Sequence, residues 1–172
     1  MSIITYNDFK GEQNIAAISN IGIRESLQVF IDEYEPLFLE SLLGDALAAE
    51  FVAGLALAPI DPKWLFLRDN TSLKKMLVCC VYYHYRQNEI TLTSGTGEVK
   101  SKNENSNPVN VIDKCTKSWN NMVHMARKFT LDRSIYPDYP HRNTVWVYEM
   151  WGNYCNRSRI DNIYEFKNSL GL

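Results

Sequence analysis

The sequence predicts a mainly α fold: a small helical bundle with an inserted β-hairpin and a C-terminal aromatic arm. Three observations predict it. Apolar residues recur at helical spacing in residues 23–55 and again in 112–129, Met76–Tyr83 is apolar all round, and a threonine-rich stretch around Gly95-Thr96-Gly97 interrupts the helical pattern. The chain has 172 residues, of which 45% are hydrophobic, 22% charged and 12% aromatic. That is enough for one domain with its own core, and it excludes whole-chain disorder, collagen and coiled-coil rods. Two units are expected: a bundle over residues 1–133, with the hairpin at about 90–102, and an arm over 134–172.

The first helix is predicted from Ile23, Leu27, Phe30, Ile31 and Tyr34, which form one stripe. Pro36 is expected to break it and to occupy the first turn of a second helix. That helix carries Leu39, Leu42, Leu43, Ala46, Leu47, Phe51 and Leu55 on one face. Gly44 lies inside it, as a kink or a point of close backbone approach, and costs about 1 kcal/mol relative to alanine. Ala58-Pro59-Ile60-Asp61-Pro62 ends the helix. Asn70 or Thr71 caps the next, Leu73 to about Gln87, whose lack of a polar face places it at the centre of the bundle.

Threonines flanking a Gly-Thr-Gly turn are hairpin chemistry, so Thr91, Leu92, Thr93, Ser94, Gly95, Thr96, Gly97, Glu98, Val99 and Lys100 read as two short strands. A polar linker, 102–107, leads to Asn107 and Pro108, a cap and first-turn pair. The helix they open has Ile112, Cys115, Trp119, Met122, Val123, Ala126 and Phe129 within about 120° of arc. Lys114, Lys117, Asn121, His124 and Lys128 lie opposite, as a basic solvent stripe. Beyond Ser134 the periodicity weakens, Pro137 and Pro140 stop the helix, and aromatic residues dominate. Val145–Tyr148 has β propensity, and a short helix is expected around 160–170.

The net charge of −2 conceals a partition. Residues 1–69 carry four basic and eleven acidic side chains, residues 70–133 ten basic and five acidic, and residues 134–172 four of each. No apolar run approaches the ~20 residues a membrane span requires, so no membrane partner is expected. No apolar segment follows a basic start, so no signal peptide is expected either. The cysteines at 79, 80, 115 and 155 have no Cys-x-x-Cys spacing and read as buried small hydrophobes in a reducing compartment.

No catalytic constellation rises above background. Ser94–Lys100 lacks the spacing of a phosphate-binding loop. Cys80 and His84 share a helix face and Cys115 would be a third ligand, but the two-plus-two spacing of structural zinc is missing. Gly-x-Ser-x-Gly is absent, and Asp32-Glu33 reads as a capping or solvent pair. No cofactor and no metal are expected. The hairpin has too few apolar residues to stand alone, so it reads as a loop or as a projecting element ordered by a partner. Trp146, Tyr148, Trp151, Tyr154, Arg157 and Arg159 concentrate interface-type residues in the arm; a wrap over its own bundle is the equal alternative.

The order of parts carries a resemblance. Phe30-Ile31-Asp32-Glu33-Tyr34-Glu35-Pro36-Leu37-Phe38-Leu39 leads into Leu42-Leu43-Gly44-Asp45-Ala46-Leu47. A buried helix ending in Tyr82-Tyr83-His84-Tyr85-Arg86 follows, then Thr91–Lys100 and a long amphipathic helix. This resembles the head-to-tail connector (adaptor) proteins of tailed double-stranded DNA phages, most of all those of Bacteroidetes-infecting, crAss-like phages, over roughly residues 23–131. The resemblance implies a non-catalytic virion protein at the portal vertex, assembled in the host cytoplasm. It also implies a dodecameric ring of copies of itself, joined to the portal protein and to tail or further connector proteins. Thr91, Thr93–Glu98 and Lys100 would then contact neighbours. Lys114, Lys117 and Lys128 would serve subunit electrostatics or non-specific contact with packaged duplex DNA. A tail-completion protein is the nearest alternative, and a DNA-binding regulator a more distant one.

Overall fold

The computed structural model describes residues 2–94, 97–100 and 111–139, and the protein is mainly helical. Five α-helices occur among the described residues: α1 Ile21–Leu43, α2 Asp45–Ala56, α3 Pro62–Arg68, α4 Thr71–Ile90 and α5 Val111–Lys128. Two single-turn 3-10 helices, Tyr6–Asp8 and Gly11–Gln13, precede them.

The helix break expected at Pro36 lies eight residues later. α1 runs through the proline without interruption. Pro36 cannot donate to the carbonyl of Asp32, but both residues are exposed, so water can satisfy that carbonyl. Gly44, expected inside a helix, instead forms the corner between α1 and α2. Its φ of 81° and ψ of 153° belong to a region open essentially to glycine, and its N–H still donates to the Glu40 carbonyl at 2.9 Å.

The pair of prolines ends α2 as expected. The same stretch then starts a helix that hydropathy alone does not reveal. Asp61 accepts from the Lys63 N–H at 2.8 Å, with Pro62 in the first turn of α3. α3 docks through Trp64 and Leu67, and Gly54 of α2 makes room for the indole, which a Cβ at that position would overlap.

α4 is the central helix. Asn70 caps it, its side-chain oxygen accepting from Ser72 N at 2.9 Å and Leu73 N at 3.0 Å. Leu73, Met76 through Tyr83, and Tyr85 are all buried. α1 and α5 both pack against α4. α5 runs antiparallel to α4: Cys115 lies near Arg86 and Glu89, while His124 and Met125 share a cleft with Lys75 and Val78. Between them Trp119 meets Tyr83 with ring centroids 4.7 Å apart, and Ser118 Oγ donates to the Cys79 carbonyl at 3.1 Å. The α5 stripe buries Cys115, Trp119, Met122, Val123 and Ala126, with Phe129 just beyond its end.

Two further segments complete the core. Residues 2–20 fold as a strap, with Ile3, Ile4, Phe9 and Ile15 buried. Arg24 of α1 secures it, donating through Nε to the Ile18 carbonyl at 2.8 Å and lying 4.3 Å from the Tyr6 ring centre. After α5 the chain turns back along α3. Tyr136 and Tyr139, grouped with the arm on sequence grounds, are buried: Tyr136 donates to the Lys63 carbonyl at 2.6 Å and Tyr139 to the Phe129 carbonyl at 3.3 Å. The bundle therefore continues through Tyr139. Gly95, Thr96, the linker 102–107, the start expected at Asn107-Pro108, and the arm with Trp146, Tyr148, Trp151, Tyr154, Arg157 and Arg159 lie outside the described residues. So do the side chains of Thr91, Thr93, Ser94, Glu98 and Lys100.

Candidate functional site

The charge partition of the sequence becomes a geometry in the fold. The apolar middle of α4, Met76–Tyr83, must be covered, and α1 and α5 both pack against this helix. Each of the two helices carries an exposed polar stripe of its own. On α5 that stripe is basic: Lys114, Lys117, His124 and Lys128 are exposed at the expected positions. On α1 it is acidic. Glu25, Asp32, Glu33 and Glu40 are exposed along one side, with Val29 61% and Leu37 38% exposed among them. This acidic stripe was not apparent from segment charge, because a sum over 69 residues carries no angle. The i, i+7 spacing of Glu25, Asp32 and the i, i+7 spacing of Glu33, Glu40 are the signal that would have found it.

A cleft of about 650 Å³ adjoins the basic stripe, where the N-terminal strap, the start of α4 and the middle of α5 meet. Val78, Cys79 and Met125 give it apolar lining, and Lys10, Lys74, Lys75 and His124 bring positive or protonatable groups to it. Its three carboxylates are engaged within the fold. Asp8 accepts from Thr5 N at 2.7 Å, Glu12 pairs with Lys117 at 2.5 Å, and Asp69 pairs with Arg68 at 2.9 Å and Lys74 at 3.5 Å. The Arg68 guanidinium holds the Asp69 carboxyl below the usual carboxylate range. Among the described residues, Lys75, Lys114 and Lys128 have no such ion pair. The basic face is thus a cleft rim and a helix stripe joined at His124. A smaller depression beside it, lined by Lys114 and Lys117, continues it along α5.

The other candidate chemistry has a structural explanation. Cys79, Cys80 and Cys115 are buried, and burial pushes the Cys79 and Cys115 thiols up, away from thiolate reactivity. His84 is half-buried with its ring stacked on Tyr34 at 3.8 Å, a packing role between α1 and α4. Among the described residues no group of three or more His, Cys, Asp or Glu is placed to hold a metal ion. No helix among them is long and apolar enough to cross a membrane.

No protein-family model, curated protein or solved structure matches this chain.

Proposed function

We propose that this chain is a structural, non-catalytic subunit of a phage head-to-tail connector, forming a ring at the portal vertex of the virion. The observation that carries the reading is the connection between α4 and α5. These helices are antiparallel neighbours in close contact, which a loop of about two to eight residues would join. Twenty residues, of which 95–96 and 101–110 lie outside the described residues, separate Ile90 of α4 from Val111 of α5. That is more chain than two antiparallel neighbours in contact require. Within that stretch, we read the backbone pairing of Thr91–Ser94 with Gly97–Lys100, Leu92 opposite Val99, as the inserted hairpin that the resemblance implies. In this reading Thr91, Thr93–Glu98 and Lys100 contact a neighbouring subunit or the portal protein. The aromatic arm, with Trp146, Trp151 and Tyr154, meets a tail-side or further connector protein. Packaged duplex DNA is touched only through positive charge.

The test removes Thr93–Glu98 and compares the variant with the full chain by native mass measurement, alone and with the portal protein. The expected result is a folded monomer with unchanged thermal unfolding that joins neither ring nor portal. Assembly equal to that of the full chain would overturn the role of the hairpin. A full chain that never leaves the monomeric state, with or without portal protein, would overturn the function.

A further inference from the structure

We infer that the acidic stripe of α1 on one copy docks against the basic face of α5 and its adjoining cleft on the next copy, so that self-association is head-to-tail and charge-steered. The inference deepens the ring reading and rests only on its self-association, not on the identity of the portal or tail partner.

Three observations converge on a second copy as the occupant. The first is complementarity. The α1 stripe offers exposed Glu25, Asp32, Glu33 and Glu40, and the basic face offers exposed Lys75, Lys114 and Lys128 without ion pairs among the described residues. The second is length. At about 1.5 Å of rise per residue, Glu25 to Glu40 spans about 22 Å and Lys114 to Lys128 about 21 Å, so charges on two apposed helices can meet along their whole extent. The third is shape. Val29 and Leu37 stand exposed within the acidic stripe, while the basic face contains a cleft of about 650 Å³ whose lining includes Val78, Cys79 and Met125. An apolar side chain flanked by carboxylates suits a partly apolar recess whose rim carries Lys10, Lys74 and Lys75 and whose own carboxylates, Asp8, Glu12 and Asp69, are engaged within the fold.

Within one chain the two stripes lie on separate helices, and no ion pair joins them among the described residues. They are also different surfaces, so the contact is heterologous and propagates until the rotation closes a ring or continues as a filament. Two acidic stripes or two basic faces would repel, which suppresses a two-fold dimer through either face and fixes the direction of assembly.

Two charge-reversed chains provide the test. One carries Glu25→Lys, Asp32→Lys and Glu40→Lys; the other carries Lys75→Glu, Lys114→Glu and Lys128→Glu. All six positions are exposed, and circular dichroism with thermal unfolding checks that both variants fold. Self-association is followed by sedimentation velocity at low and high salt. The unaltered chain is expected to associate, and more weakly at high salt, by about tenfold or more. Each variant alone should be monomeric, with association weakened about a hundredfold or more, whereas an equimolar mixture should assemble by alternating the two chains. A monomeric unaltered chain, a folded variant that associates like it, or a mixture that fails to assemble would each overturn the inference. A mixture that assembles but never binds portal protein would instead count against the connector function while leaving the docking faces standing.

Discussion

Glu35 is a carboxylate inside the core, beside a proline, and it ties the N-terminal strap to α1. It accepts from Ile3 N at 2.9 and 3.1 Å, from Ile4 N at 3.2 Å and from Ser2 Oγ at 2.9 Å. These donors favour the charged form, but loss of solvent outweighs them and raises its pKa above the ordinary value of 4.5. The sign of the linkage follows. Above pH 4.5 the native state keeps this proton where the unfolded chain has lost it, so the residue's contribution to stability falls as pH rises through its native pKa. Glu35→Gln cannot ionise and removes that dependence. Its penalty relative to the unaltered chain should therefore shrink as pH rises from 4 to 7, measured by urea unfolding at each pH. A penalty that grows over the same range would mean that the donors outweigh desolvation. Nothing in the local sequence marks Glu35 as buried, since its partners lie more than thirty residues away.

Among the elements, α4 and α5 were the most legible, and the α1–α2 corner the least. α4 is apolar on every side and α5 carries a clean stripe, so each pattern fixes both type and burial without reference to neighbours. The corner required a choice between two breakers, and a proline on the solvent face costs less than one whose freed carbonyl is buried. Periodicity does not report which face Pro36 occupies relative to a core not yet built. The strap was not legible either: Ile3, Ile4, Phe9 and Ile15 have no regular period and are buried only because α1, α4 and α5 leave a place for them. The basic half of the candidate site was readable from Lys114, Lys117 and Lys128, whereas the cleft needed the strap to form its wall. Gly44 now carries the corner. Gly44→Ala should cost about 1–3 kcal/mol in urea unfolding, because alanine is strained at φ 81°, ψ 153°. Pro36→Ala should stay within about 1 kcal/mol, since the helix already tolerates that position. A larger effect at Pro36 than at Gly44 would contradict this placement of the corner.

For the whole molecule, the fold separates what holds the monomer together from what it presents outward. The core runs from Ile3 through Tyr139 and is closed by contacts among α1, α3, α4, α5 and the strap. The ends of α4 and α5 are already close, since Cys115 lies near enough to Arg86 and Glu89 to feel their charges. Residues 91–110, between the described ends of the two helices, are therefore not needed to span a distance. Replacing residues 91–110 with about six Gly and Ser residues removes chain whose closure opposes folding. Each halving of a flexible loop is worth about 0.6 kcal/mol, so the shortened chain should be as stable as the original or up to about 1 kcal/mol more stable. Equilibrium urea unfolding of the two chains tests this, with the dependence on denaturant checking that the same core unfolds. A loss of more than about 2 kcal/mol would show that the connection belongs to the core of the monomer. An unchanged or raised stability, together with lost self-association, would separate the two roles: the helices make the subunit, and the chain between them makes the assembly.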